Sequence, residues 1–353
     1  MKILVGMSGG IDSSVAAYLL KKAGHEVVGA TMSIWKKGNP FKGELKRNAC
    51  FGPNEAEDIA EAQRISGLLG IEHHVLDCAE LYEKIVLEDF RSEYLAGRTP
   101  NPCVWCNSLI KFGALPRIAR ESGLEFDRFA TGHYANVVFK ADRWQLHCAL
   151  DEKKDQTYFL YRLSQKQLSE VLFPLGGLHK EEARRICVEQ HFFSEEKEES
   201  QDFYSGDYGD LLNAKWTPGD IVDTKGSVLG RHGGIWNYTI GQRKGLGVSA
   251  ERPLYVIALD VHRNQVVVGF EEETFGESLV AGKLNWVSVP GLTGPMEAQA
   301  KIRSTGKPKP VVLSPLADGT VSVRFAEPLK AVTPGQSVVF YDDGMVLGGG
   351  VIQ

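Results

Sequence analysis

The sequence predicts an α/β chain: a doubly wound parallel sheet, then two small all-β domains, the last of them a β-barrel. Three observations carry this. Strand and helix signals alternate over the first 130 residues, the mark of a parallel sheet wrapped by crossover helices. A glycine-rich turn joins the first strand to the first helix, as where such sheets bind anions. After about residue 216 helical periodicity fades, and glycine and proline punctuate short β-rich runs.

In order, Ile3-Leu4-Val5 reads as a short buried strand. Asp12 to Ala23 reads as a helix with Val15, Ala16, Leu19 and Leu20 on one face. Glu26 to Met32 is a second strand, and Asn54 to Leu69 a helix capped by Asn54. Residues 72–76 form a third strand, Leu81 to Leu95 and Asn107 to Arg120 two more helices, and Phe129-Ala130-Thr131 another strand. Ala135 to Leu150 reads as a hairpin turning at Ala141-Asp142, and 155–190 as helical. Ser194 to Ser200 is a charge-rich connector. The β-rich runs that follow include 255–258, 265–268, 311–313, 321–323 and 337–340. The expected domains are residues 1–205, 206–275 and 276–353.

Length fits this division, since 353 residues at about 150 per domain give two to three domains. With 43% hydrophobic and 24% charged residues, disorder, collagen and coiled coil are excluded. No apolar run reaches a membrane span, and the N-terminus does not read as a signal peptide. Six cysteines are too few for a disulfide scaffold, so a reducing cytoplasm is expected. Net charge is −5, unlike a bulk nucleic-acid binder, but residues 281–353 carry seven Lys/Arg against five Asp/Glu. Lys301, Arg303, Lys307 and Lys309 fall together without an acid. Alone, that run reads as a solvated loop.

Two segments carry chemistry. In Gly6-Met7-Ser8-Gly9-Gly10-Ile11-Asp12-Ser13-Ser14, glycines let the backbone approach an anion, Ser8 and Ser13 offer hydroxyls, and the helix start supplies N–H groups. Walker A and dinucleotide patterns are both absent. The second is Thr99-Pro100-Asn101-Pro102-Cys103-Val104-Trp105-Cys106-Asn107. Cys106 is expected near a helix start, where the dipole favours a thiolate. Cys103, three residues earlier, leaves a redox pair or two metal ligands open.

The first segment resembles the pyrophosphate loop of N-type ATP pyrophosphatases (PP-loop enzymes), whose fold is that of the adenine nucleotide alpha hydrolases. The resemblance implies that Asp12 helps hold Mg²⁺, that Ser8 to Ser13 take the β- and γ-phosphates of ATP, and that Met32 lies by the adenine. Gly6, Met7, Gly9, Gly10, Ile11 and Gly132 complete the expected ATP site. With Gly132-His133-Tyr134-Ala135, Lys154-Asp155-Gln156-Thr157-Tyr158-Phe159-Leu160, Tyr238–Gly247 and Pro334-Gly335-Gln336-Ser337, nearly the whole chain resembles the tRNA 2-thiouridylase family. That implies adenylation of the wobble-uridine O2, release of pyrophosphate, and sulfur transfer to C2. Asn101, His133, Lys154, Asp155 and Gln156 would position the base and backbone. Lys301, Arg303, Ser304 and Gln336 would touch the tRNA, with salt-dependent binding. A sulfur donor or relay protein is the second expected partner.

The chain departs from the family at its cysteines. Cys103-Val104-Trp105-Cys106 stands where most members carry Asp-x-x-Cys, and Tyr204 follows Ser200-Gln201-Asp202-Phe203 where the persulfide cysteine would be. Two sulfur routes follow. In one, a [4Fe–4S] cluster on Cys103, Cys106 and Cys50 (Cys187 the second choice) carries a sulfide. In the other, Cys106 bears a persulfide and Cys103 resolves it. Two other classes share features of the chain. An amidating PP-loop synthetase would need neither the cysteine pair nor tRNA, and a non-catalytic tRNA-binding module would not turn over ATP.

Overall fold

A computed structural model describes residues 1–36, 49–194, 203–204, 206, 208–212 and 217–353. Asn48, the connector from Glu195 to Ser200, and Gln201, Asp202 and Ser205 of the segment before and after Tyr204 lie outside the described residues.

The first sheet contains β1 (Lys2–Gly6), β2 (Glu26–Ser33), β3 (Glu72–Asp77), β4 (Arg128–Thr131) and β7 (Val171–Leu172), in the order β3-β2-β1-β4-β7 and all parallel. Ile3, Leu4 and Val5 are fully buried, as a central strand covered on both faces requires. Helix α1 (Ile11–Lys22) buries Val15, Ala16 and Leu20, and α2 (Glu55–Leu69) buries Ala62, Ile65 and Leu69. Asn54 holds the α2 cap position without a side-chain capping bond. Strand order reverses at β1, so a crevice opens between the carboxyl ends of β1 and β4.

Three regions differ from expectation. The helix carrying the cysteines starts at Pro102, not Asn107, and runs through a π-helical stretch, Cys106–Ala114, into Leu115–Glu121. Residues 155–190 are not continuously helical. A 3₁₀ turn (Thr157–Phe159), a helix (Gln165–Glu170), β7 and a second helix (Lys180–Glu189) share them. The hairpin β5 (Asn136–Lys140) and β6 (Arg143–His147) turns at Ala141 and Asp142, both at positive φ, as expected. Its sheet partner, however, is the final strand of the chain.

The second sheet is β10-β11-β8-β9, from β8 (Gly219–Asp223), β9 (Val228–His232), β10 (Tyr255–Asp260) and β11 (Gln265–Gly269). Six strands form the third unit: β12 (Phe275–Trp286), β13 (Met296–Lys301), β14 (Lys309–Pro315), β15 (Val321–Lys330), β16 (Ser337–Asp342) and β17 (Met345–Ile352). Pairing of β12 with both β15 and β17 closes them into a barrel, which removes free edges. Leu313, Val323, Val338 and Phe340 fill it. No described helix is long and apolar enough to cross a membrane.

Candidate active site

β1 ends at Gly6, and the chain turns through Met7 to Gly10 into α1. Gly9 sits at φ +72°, and a Cβ there would lie 2.4 Å from the Asp58 carbonyl oxygen, so only glycine fits. Gly132, after β4, lets that strand end approach α1: a Cβ on it would lie 2.6 Å from the Ser13 nitrogen. The Ser13 hydroxyl accepts from the Ser8 N–H at 3.2 Å and lies 3.3 Å from the Ser8 hydroxyl. Gly10 caps α1 without a side-chain acceptor, which leaves the helix-start N–H groups for an anion.

A cavity of about 290 Å³ opens here. Gly6, Met7, Ser8, Asp12, Ser13, Met32, Gly132, His133 and Gln156 all line it, joining the expected ATP-site residues to two of the expected base-positioning ones. Gly9, Gly10 and Ile11 belong to the turn into α1 but do not line the cavity. Cys50, Lys111, Glu55 and Asp58 also line the cavity.

Asp12 Oδ1 accepts from Lys180 Nζ at 2.6 Å and from the Tyr134 hydroxyl at 3.0 Å. Lys180 is buried. A loop without its own lysine thus has one ammonium brought against it from the helix Lys180–Glu189. Glu55, the first residue of α2, accepts from the Ser33 hydroxyl at 2.7 Å and the Trp35 N–H at 2.9 Å, fixing the chain beyond β2. Sequence reasoning missed Lys180, Lys111 and Glu55. Only the fold brings them to the loop.

His133 accepts from or donates to the Thr131 hydroxyl through Nδ1 at 2.8 Å and packs on the Phe112 and Phe173 rings. Burial, and secondarily the Lys111 charge, hold its pKa well below 6.5. The Gln156 carbonyl oxygen accepts from the Tyr134 N–H at 2.9 Å.

Other expected contacts lie elsewhere. The Asp155 carboxylate faces inward, accepting from the Thr157 hydroxyl at 2.7 Å and the Ala149 N–H at 3.2 Å. Lys301 is buried beside it, Nζ 3.9 Å from Asp155 Oδ2, and so is not a surface cation. Lys154 does not line the cavity. Asn101 is buried, and Gln336 turns its amide to the backbone of the cysteine loop. Arg303 is exposed, in a turn with Ser304, and donates to the Ala331 carbonyl at 3.2 Å.

The cysteines also depart from expectation. Because the helix starts at Pro102, Cys103 rather than Cys106 occupies its first turn, and Cys106 is packed a turn deeper. Burial pushes the Cys106 thiol up to about 12, although the Lys111 charge pulls the other way; the dipole does not prevail. Cys50 is exposed, and its thiol points to the Phe203 carbonyl at 3.7 Å. Cys50, Cys103 and Cys106 gather around buried Tyr82, whose phenol pKa is pushed up by burial first and then by the charge of each of the three. Among the described residues, no three His, Cys, Asp or Glu side chains come together to hold a metal ion. The three thiols are neighbours but are not assembled as a metal-binding group, and no step below is routed through a [4Fe–4S] cluster. Tyr204 is buried, its ring 6.4 Å from both Phe51 and Tyr208. The site where a second reactive cysteine was sought is an aromatic core. Asp12 and Asp58 line the cavity as carboxylates, and one or two carboxylates beside phosphate oxygens are what a phosphate-bound magnesium ion requires.

A parallel doubly wound sheet, a lysine-free phosphate loop at its switch point and the Cys50 thiol in the same cleft define a PP-loop nucleotide enzyme with accessory β domains. Comparison with known proteins narrows the class. Residues 1–204 match the family described as tRNA methyl transferase HUP domain, 210–270 its PRC-barrel domain, and 276–352 the aminomethyltransferase beta-barrel domain. The chain is 52% identical over 356 residues to the tRNA-specific 2-thiouridylase MnmA of Endomicrobium trichonymphae, covering 100% of this chain and 99% of that one. It is 43% identical over 361 residues to the tRNA-specific 2-thiouridylase MnmA of Acetivibrio thermocellus, with the same coverage. The chain belongs to the tRNA-specific 2-thiouridylase family.

Proposed function

We propose that the protein thiolates the wobble uridine of tRNA at the expense of ATP, converting it to AMP and pyrophosphate. One observation carries this reading: the phosphate loop and the cysteine-bearing helix, through Lys111, line a single cavity. Lys111, five residues beyond Cys106 on that helix, supports a reading in which nucleotide activation and sulfur chemistry meet there.

ATP enters as its magnesium complex. Ser8, Ser13 and the N-terminal amides of α1 take the β- and γ-phosphates, Met32 faces the adenine, and Asp12 holds the metal side. The uridine O2 attacks the α-phosphorus, pyrophosphate leaves, and the base carries an adenylate. Activation replaces a poor oxygen leaving group by AMP. Reaching the cleft requires the uridine to leave its stack, and neutral His133 with Gln156 suits an uncharged base edge. Sulfur arrives as a persulfide on Cys106, loaded by a persulfide-bearing donor protein. Its terminal sulfur attacks C2 and AMP leaves. The Cys103 thiolate then attacks the Cys106 sulfur, forming a Cys103–Cys106 disulfide and freeing 2-thiouridine; a cellular dithiol restores both thiols. Lys111 is the cation that favours the sulfur anion. All six cysteines are free thiols, which suits a reducing cytoplasm.

The test is pyrophosphate release. Wild type should release pyrophosphate only when tRNA is present, and Asp12→Ala should abolish release while still binding tRNA. Release without tRNA, prompted by a small carboxylic acid and ammonia, would instead identify an amidating synthetase.

A further inference from the structure

The cysteine loop does not hold itself in place. Residues 98–101 lie between two helical stretches and belong to no sheet, so their backbone groups need partners from elsewhere. The barrel supplies them. Gln336 Nε2 donates to the Thr99 carbonyl at 3.1 Å and to the Pro100 carbonyl at 2.9 Å. The Thr99 N–H donates back to the Pro334 carbonyl at 2.9 Å. Gly335 is at φ +90°, and a Cβ there would lie 2.8 Å from the Thr99 oxygen and 2.9 Å from its nitrogen. Side chains add a second tie: Asn101 bonds the Tyr158 hydroxyl, which donates to the Ser337 carbonyl at 2.8 Å.

The turn that makes these contacts is itself braced. The Gly335 N–H donates to the Ile352 carbonyl, and the Ile352 N–H to the Gln336 carbonyl, both at 2.8 Å. At its other end, the Ala331 carbonyl accepts from exposed Arg303 at 3.2 Å. A single barrel turn therefore joins a surface arginine to the loop that leads into Cys103.

We propose that residues 331–336 are a clamp that positions Cys103 and Cys106 for the sulfur-transfer step, with Gln336 and Gly335 as positioning residues. This rests on the thiolation reading above. The phosphate loop is secured independently, through Lys180 and Tyr134 on Asp12. Loosening the clamp should thus impair sulfur transfer more than adenylation.

The experiment compares Gln336→Leu and Gly335→Ala in the full chain. Gly319→Ala is the control, since Gly319 is another positive-φ barrel glycine (φ +81°) with open space around it. Three rates are read: tRNA-dependent pyrophosphate release, 2-thiouridine formation, and alkylation of Cys103 by iodoacetamide in the resting protein. Both clamp variants should lose about tenfold or more in 2-thiouridine formation, as expected for misplaced reacting groups. The 2-thiouridine formed per pyrophosphate released should therefore fall, their Cys103 should alkylate faster, and the control should match wild type. If Gly335→Ala fails to fold by circular dichroism, Gln336→Leu carries the test alone. Unchanged thiolation, or a joint fall of both activities with Cys103 reactivity unaltered, would overturn the clamp. If wild type releases no pyrophosphate with tRNA, the functional reading fails, while faster Cys103 alkylation in the variants would still uphold the clamp.

Discussion

The Lys180 ammonium lies 2.6 Å from the Asp12 carboxylate, across 168 residues of sequence, and the pair closes the rear of the phosphate loop. Lys180 is buried while Asp12 keeps part of its surface toward the cavity. The lysine orients one carboxylate oxygen and brings positive charge to the loop proposed to take polyphosphate. Lys180→Met should therefore slow tRNA-dependent pyrophosphate release by about tenfold or more, a typical loss for one aimed charge. It should also cost about 1–3 kcal/mol of stability, the range for a hydrogen bond to a charged group. Parallel pyrophosphate assays and thermal unfolding check both, and wild-type release would show that the pair is structural only.

Thiol reactivity should follow burial, not the order of the cysteines in the mechanism. With its pKa pushed up to about 12 by burial, Cys106 is almost wholly protonated at pH 8. Exposed Cys50 should alkylate first, and Cys106 last with Cys78 and Cys148, whose thiols burial raises to about 11. Peptide mapping after brief iodoacetamide treatment gives the order. Fast labelling of Cys106 without donor or tRNA would contradict its placement.

His133 should make stability fall in mild acid. Its folded pKa is held well below 6.5 by burial first and Lys111 second. Below pH 6.5 the unfolded chain takes a proton there that the folded chain refuses. Stability from this group is thus complete above 6.5 and declines as pH falls below it. His73, His147 and His232 are shifted the same way, so the informative quantity is the difference between wild type and His133→Gln. Denaturant titrations between pH 7.5 and 5 should show a shallower decline for the variant. Identical slopes would mean that His133 is protonated in the folded protein.

Arg303 should contribute to tRNA affinity by charge alone. Arg303→Ala should weaken binding at low salt and reduce the log–log salt slope by about one, the signature of one lost phosphate contact. Filter binding at several salt concentrations measures it. An unchanged slope would place the tRNA elsewhere. Lys301, paired with Asp155 in the interior, should instead lower thermal stability when replaced by alanine.

What the sequence disclosed depended on how local the signal was. β1, the phosphate loop and α1 are contiguous, and an apolar run, two glycines and an apolar helix face mark them within 20 residues. Lys180 carries no such mark, because nothing local distinguishes a lysine at a helix start from a solvated one until the fold sets it on Asp12. β7 is only two residues, Val171 and Leu172, too short for a period-2 pattern to emerge from the flanking helix. The β5–β6 hairpin was readable from its own alternation, but its pairing with β17 joins residues about 200 apart. Lys301 looked exposed because its neighbours Arg303, Lys307 and Lys309 are. It ends β13 on the face opposite Ala298 and Ala300, outside the barrel core, and is buried there against Asp155 and the Tyr341 ring; long-range packing, not the charge run, decided its environment. Cys106 was placed too close to a helix start because Pro102 and Cys103 were read as loop, whereas proline is well suited to a first helical turn.

The central claim is that adenylation of tRNA precedes sulfur transfer in one cleft. The direct test is a single turnover of Cys106→Ser with ATP labelled at the α-phosphate, tRNA and magnesium. Pyrophosphate should be released once, label should accumulate covalently on tRNA, and no 2-thiouridine should form. Label remaining entirely in ATP and free AMP, with no tRNA adduct under acid quench, would contradict it.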